Sequence, residues 1–186
     1  MVPESRLKST EHGLVPEGDG WFVLNAREAR WLHAPGRSAI CEFEGPFEGE
    51  QDFLQFGINI SVLGPGVPMA MYHWEADQED FLVLAGEALL IVEGEERPLR
   101  QWDFVHCPAG TKHVIVGAGD APAVVLAVGA RDQSTGADWG GYTVDAAALR
   151  HGAGVEEETT EPSQAYASLR RRQPASYQED WLPGSS

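Results

Sequence analysis

From residue 53 onward the chain alternates short apolar runs with glycine, proline and charged residues. The runs FLQFGINISVLGPG (53–66), MAMYHWEA (69–76), DFLVLAGEALLIVEG (80–94), WDFVHCPAG (102–110), HVIVGAG (113–119) and PAVVLAVGA (122–130) follow one another closely. Each is rich in β-branched or aromatic residues and is bounded by turn formers, which predicts strands. The gaps leave little room for helix, so the pattern is that of an all-β sandwich or barrel. Several strands are apolar on both faces: Phe81, Val83 and Ala85 alternate with Leu82 and Leu84. One face is expected to fill the barrel, and the other to pack on a second layer or a partner subunit.

The flanks read differently. Residues 1–20 are polar and rich in Gly and Pro, which predicts a flexible N-terminal arm, and 21–40 has room for a short strand and a turn. Residues 45–52 read as an acidic loop, and no internal repeat is visible. After Tyr142 the pattern predicts two short helices. One is VDAAALRHG, with Asp145 near its start and Gly152 just past its end. The other is TEPSQAYASLRRR, with Thr160 as N-cap, Pro162 in the first turn and three arginines in the last. The organisation expected is an arm (1–20), a barrel domain (21–135) and a C-terminal extension (136–186) that packs on the barrel or on a partner subunit.

Length and composition narrow the function. The 186 residues suffice for one domain with a real core plus extensions, and 42% hydrophobic content with six Trp and seven Phe argues against disorder. Against 29 acidic residues stand 13 basic ones, for a net charge of −16. Such a surface repels phosphate backbones and anionic lipid, which excludes nucleic acid and membrane surfaces as partners. It also disfavours an anionic small substrate unless a local basic pocket overcomes the general field. Cys41 and Cys107 are far apart and read as buried thiols in a reducing compartment. The first twenty residues lack the apolar core of a signal peptide, and no run approaches a membrane span, so a cytoplasmic protein is expected.

The chemistry concentrates in MYHWEADQEDFLVLAGE, residues 71–87. Strand alternation sends His73 and Glu75 to one face and Tyr72 and Trp74 to the other. Glu79 opens the next apolar run, and His113 follows the turn PAGTK. Two imidazoles with one or two carboxylates suit a divalent first-row metal (Mn, Fe, Ni or Zn) and leave positions free for water or substrate. The candidate ligands are His73, Glu75, Glu79 and His113, with Glu75 either a ligand or a group bonded to metal-bound water or substrate.

These residues carry a family resemblance. HWEADQEDFLVLAG (73–86) resembles the first motif of the cupin superfamily, H-x-H-x3-E-x6-G, with Glu79 as its glutamate and Gly86 as its glycine. PAGTKH (108–113) resembles the second, P-x-G-x2-H. The resemblance covers residues 53–131 and implies a cupin-type double-stranded β-helix, a jelly-roll barrel, with a metal inside held by two or three His and one Glu. Four positions depart from the pattern. Glu75 replaces the second histidine, Gly66 sits one residue early, Trp102 replaces the glycine before Asp103, and Gly117 stands where Asn often closes the second motif. The Glu75 exchange makes the site richer in oxygen, which favours Mn or Fe and disfavours Cu.

Three functions follow as expectations. The first is a metalloenzyme with dioxygenase-like chemistry on a small uncharged or weakly charged organic molecule. The second is a metal-dependent isomerase or epimerase in which Glu75 moves the proton. The third is a non-catalytic module that binds a small ligand or metal. Lys112, the basic residue flanking the second motif, turns outward beside His113, which counts against phosphorylated substrates. Met69, Met71, Phe81 and Val83 are expected to line the interior beside the metal, and His106 and Cys107, outside the motif, to be core residues or groups backing the ligands rather than ligands themselves. His12, His33 and His151 are expected to face solvent. The two-sided apolar strands and the aromatic tail predict a homodimer, as the resemblance also implies.

Overall fold

A computed structural model describes residues 1–18, 20–43, 55–132 and 139–184; the expected acidic loop at 45–52 and the boundary at 135/136 lie outside them. In chain order the strands are β1 (Arg6–Thr10), β2 (Gly13–Glu17), β3 (Trp31–His33), β4 (Ala39–Cys41), β5 (Phe56–Leu63), β6 (His73–Glu75) and β7 (Glu79–Ala85). There follow β8 (Glu87–Val92), β9 (Glu95–Arg100), β10 (Phe104–Cys107), β11 (His113–Ala118), β12 (Ala123–Ala130), β13 (Gly140–Tyr142) and β14 (Gln173–Ala175). Two helices of one turn or so, α1 (Ala146–Arg150) and α2 (Pro162–Ala165), lie in the C-terminal extension.

The expected all-β barrel forms from two antiparallel sheets. One has the order β10-β7-β12-β5-β4-β3-β14 and the other β13-β6-β11-β8-β9. From β5 to β13 the chain changes sheet at almost every connection, the wrapping of a double-stranded β-helix. Inward-facing Leu63, Phe81, Leu90, Ile115 and Val125 meet between the sheets as the main core. Two turns bound β8, one at each end. Gly86, between β7 and β8, has φ 74°, and a Cβ there would lie 2.5 Å from the Pro122 carbonyl. Glu93 and Gly94 both take positive φ (49° and 80°), which closes the β8–β9 hairpin tightly. The outermost strand β9, EERPLR, is charged and carries Pro98, a composition that blunts edge-to-edge pairing.

The outer faces are covered by the chain's own extension. Ala147 and Ala148 of α1 pack on Tyr72, Ile91, Val114 and Val116. Asp145, expected near the start of this helix, is its N-cap, its Oδ1 accepting from the Ala148 amide at 2.8 Å, and Gly152 follows the end as expected, at φ 65°. On the other sheet Trp181 and Tyr177 lie on the fully buried Trp31, with ring centroids 5.0 and 6.1 Å apart. Truncating a buried ring of this kind costs about 3–5 kcal/mol, enough to anchor a tail. β14 adds to this by pairing with β3.

Three local expectations change. The stretch expected as a loose arm is a β1–β2 hairpin paired from Arg6–Glu17 to Thr10–Gly13. The strand expected over 69–76 is only the three residues of β6. The second helix ends at Ala165 with Glu161, not Thr160, at its N-cap, because Tyr166 and Leu169 must turn inward onto Met71 and Tyr142. Its arginines therefore lie beyond the helix. Among the described residues no helix is long and apolar enough to cross a membrane.

Candidate metal centre

His73 and His113 are direct cross-strand partners on β6 and β11 of the five-stranded sheet, with ring centroids 5.0 Å apart. Glu79 is the first residue of β7 in the opposite sheet, where it pairs with Cys107 on one side and Gly129 on the other. The short connection at 76–78 brings Glu79 back over the histidines, so the cluster bridges the two sheets. Glu79 Oε2 lies 3.1 Å from His113 Nε2 and 3.5 Å from His73 Nε2. These three residues offer ligand atoms all within 4.8 Å of one another.

The ring orientations are fixed from behind. His73 Nδ1 donates to the Met71 carbonyl at 2.7 Å, and His113 Nδ1 donates to the Thr111 carbonyl at 3.0 Å. A carbonyl only accepts, so the proton of each neutral ring sits on Nδ1 and the lone pair on Nε2. Both lone pairs therefore point at an acceptor-only carboxylate. Among the described residues, the buried Glu79 Oε2 and His113 Nε2 have no hydrogen-bond partner. Facing acceptors in a dry interior require a cation between them. With metal–ligand bonds of about 2.1 Å, neighbouring ligand atoms stand roughly 3.0–3.5 Å apart, so the donor set fits a first-row ion.

The protonation equilibria report the same demand for positive charge. Burial would lower His73, but Glu75 and Glu79 outweigh it and hold the imidazole well above its usual value. Burial would likewise lower His113, but the Cys107 thiol and Glu79 push it up to about 9. Burial would raise Glu79, yet its two imidazole neighbours hold it at about 2.

Glu75 stands beside this trio rather than within it: its Oε1 is 3.7 Å from His73 Nε2, and its side chain is 25% exposed against 15% for Glu79. Tyr72 faces away as expected, buried under α1. Asp80 also turns outward, bonded to His106 Nδ1 at 2.6 Å, which puts His106 on the exposed outer face rather than in the core. Asp77, which reads as a turn residue, is 6% exposed. Of the expected lining, Met69 and Phe81 border the site. Met71 does not, because β6 is too short for alternation to reach it; it packs with Val155 and Ala165.

The cluster opens into a cavity of about 330 Å³, with an adjoining lobe of about 280 Å³ that shares Glu75, Glu79 and Asn59. Much of the wall comes from the C-terminal extension. Trp139 and Tyr142 pack at 5.3 Å, Tyr142 meets Tyr166 edge-on at 5.7 Å, and Arg172 completes the lining. Burial and the adjacent Tyr166 raise the Tyr142 phenol, which keeps it protonated. None of these residues carried a local signal. The run Arg170–Arg172 reads from sequence as a helix end, and only the docking of the tail turns Arg172 inward.

Residues 59–129 match the family model of the cupin domain. No curated protein matches the chain. Among solved structures it is similar to a candidate sugar phosphate isomerase from Acidithiobacillus ferrooxidans (30% identity over 42% of this chain and 52% of that one, TM-score 0.41). It is also similar to the DMSP lyase DddQ from Ruegeria pomeroyi (26% identity, 54% of this chain and 50% of that one, TM-score 0.44). The match thus spans about half the length of each of these two. The polyketide cyclase RemF from Streptomyces resistomycificus shares the fold at 14% identity, over 60% of this chain and 80% of that one, with TM-score 0.50.

Proposed function

Because the chain belongs to the cupin superfamily, we propose that it is a metal-dependent enzyme acting on a small organic molecule, with His73, Glu79 and His113 as the metal ligands. The observation that carries this reading is the convergence of His73, Glu79 and His113, whose ligand atoms lie within 4.8 Å of one another, with the buried Glu79 Oε2 and His113 Nε2 3.1 Å apart. Manganese, iron, nickel and zinc all suit two imidazoles and a carboxylate. When bound, such an ion supplies Lewis-acid polarisation of a substrate oxygen, or open positions where O2 and a bidentate substrate meet in dioxygenase-like chemistry.

The chain's own residues supply the rest. The Met71 and Thr111 carbonyls hold the rings so that Nε2 is presented without reorganisation. Phe81, packed 5.3 Å from the His113 ring, and Met69 keep water from the inner side. Glu75 reaches the cavity next to His73 and is the group placed to take a proton from substrate and return it. That placement also favours a second reading, a metal-dependent isomerase or epimerase with Glu75 as the base. A second copy of the chain belongs to the proposal as its partner; Phe104, exposed on edge strand β10, supports it, and sedimentation checks it.

Metal analysis of tag-free protein grown with Mn, Fe, Ni and Zn supplied is the test. One ion per chain is expected, lost in His73→Ala and in His113→Ala; a wild type without metal sinks the reading. O2 uptake with diketones, catechols and thiols then separates oxygenase from isomerase. Loss of turnover in Glu75→Gln with metal retained assigns Glu75 to proton transfer. A metal-loaded protein that turns over nothing is a binding module instead.

A further inference from the structure

We infer that Asn59 is the residue that orients the substrate in the cavity, and that the substrate is an uncharged carbonyl compound with a removable hydrogen on the carbon beside the carbonyl. The inference rests on the reading of the cavity as the substrate site and of Glu75 as its base. Asn59 lies in neither of the two sequence motifs.

The fold makes room at Asn59. It belongs to β5, whose inward positions pair with those of β12: Leu63 with Ala123, Ser61 with Val125, Asn59 with Ala127 and Gly57 with Gly129. Along these two rows the side chains shrink. Leu63 and Val125 are fully buried core, whereas Gly57, Ala127 and Gly129 line the adjoining lobe. That lobe of about 280 Å³ is the space which absent side chains leave. Of the four residues of these rows that border it, Asn59 alone carries a side chain that hydrogen-bonds.

Its amide is held one way round. The fully buried Ser61 Oγ donates to Asn59 Oδ1 at 3.1 Å. With the amide reversed, the buried hydroxyl proton would have no acceptor, so the oxygen faces Ser61 and Nδ2 keeps two N–H donors. Among the described residues the amide makes no other side-chain bond. Asn59, Glu75 and Glu79 each border both lobes. Asn59 stands on the seven-stranded sheet and Glu75 ends β6 of the five-stranded sheet, so a donor and a carboxylate enter one space from different sheets.

This pairing selects the ligand. A cationic group offers only donors and would meet Asn59 donor to donor. An anion would add charge beside Glu75 and Glu79, and the amide supplies no countercharge. An uncharged carbonyl oxygen accepts from Asn59 and adds no charge. It also gives Glu75 a proton to take, because a carboxylate removes hydrogen from carbon only where the electron pair can be taken up. Glu75 accepts that proton, the C–H pair becomes the C=C bond of an enolate, and the carbonyl π pair moves onto oxygen. The Asn59 N–H groups hold this oxygen as its charge grows, and Glu75 returns the proton to carbon.

Proton NMR in deuterated water decides it, following exchange of the hydrogens beside the carbonyl. Calorimetry gives affinities, and metal content and melting temperature are measured on the same metal-free and metal-loaded full chain. The probes are hydroxyacetone, acetylacetone and cyclohexanone, with propylene glycol and cyclohexanol as alcohol controls. Wild type is expected to bind at least one ketone roughly tenfold tighter than an alcohol control and to speed its exchange. Asn59→Leu and Asn59→Asp, which keep the shape but lose the donors, should slow exchange on the order of a hundredfold with metal content unchanged. Ser61→Ala, which frees the amide but keeps its N–H groups, should weaken binding severalfold. A Cβ at Gly129 meets Glu79 Cγ at an ordinary 3.6 Å, so Gly129→Val fills the lobe and should reject cyclohexanone while keeping hydroxyacetone. Where the Asn59 variants melt early, these last two decide. Exchange unchanged in the Asn59 variants, both ketones unaffected by Gly129→Val, equal binding of ketone and alcohol, or no ketone bound by wild type overturns the inference. Asn59-dependent ketone binding in a protein that takes up no metal leaves it standing while removing the metal reading.

Discussion

Glu79 Oε2 and His113 Nε2 face each other across 3.1 Å of buried interior, and when the imidazole is neutral each presents a lone pair to the other. Glu79→Gln separates charge from shape at that contact. The amide places an N–H donor where the carboxylate had none, so it can bond His113 Nε2 directly and leave the cluster neutral. Metal affinity should fall on the order of a hundredfold or more, read by chelator competition. Meanwhile the metal-free variant should melt within a few degrees of metal-free wild type. Retention of metal by this variant would remove Glu79 from the ligand set.

Without metal, protons must supply the cation. The folded value of His113, about 9, lies above its ordinary 6.5. A raised value stabilises the metal-free fold fully below 6.5, and that contribution is lost as pH climbs through about 9. Glu79, held at about 2 against an ordinary 4.5, contributes in full above 4.5 and loses its part as pH falls toward 2. Melting temperatures of metal-free protein should therefore decline between pH 6.5 and 9 and recover on adding metal, with proton release on binding. A metal-free protein whose melting temperature stays level across that range contradicts this account.

Trp102 occupies a position with φ 75°, a left-handed conformation that glycine takes without strain. Its ring is 67% exposed, so little packing is lost when it is removed. Trp102→Gly should stabilise the fold by about 1 kcal/mol, seen as a higher urea midpoint at unchanged slope. A lower midpoint would mean that the ring packs against something that outweighs the backbone strain.

Gly117 has the opposite constraint. A Cβ there would lie 2.2 Å from the Gly64 carbonyl oxygen and 2.8 Å from that of Leu63, backbone atoms that cannot step aside cheaply. Gly117→Ala should cost about 3 kcal/mol in urea denaturation. This crowding explains why a glycine stands where the family's second motif often has asparagine. An alanine variant of wild-type stability would show that the connection after β5 yields.

The sequence alone determined the strand content and the residue types that meet at the candidate metal site. Both are written locally: turn formers punctuate apolar runs, alternation selects faces, and the spacing to Gly86 selects Glu79 over Asp80, which turns outward to His106. Alternation misled only where the strand was shorter than its apolar run, as at Met71. Glu75, expected either as a ligand or as a neighbour of the bound metal, sits 3.7 Å from His73 and beside the trio. Tertiary structure alone decided what surrounds the candidate metal site. Trp139, Tyr142, Tyr166 and Arg172 reach the cavity because the extension folds back over the barrel, with its rings docked on Trp31 and Met71. Apolar burial is non-directional and acts between segments far apart in the chain, so no local pattern marks which residues it will carry into the site.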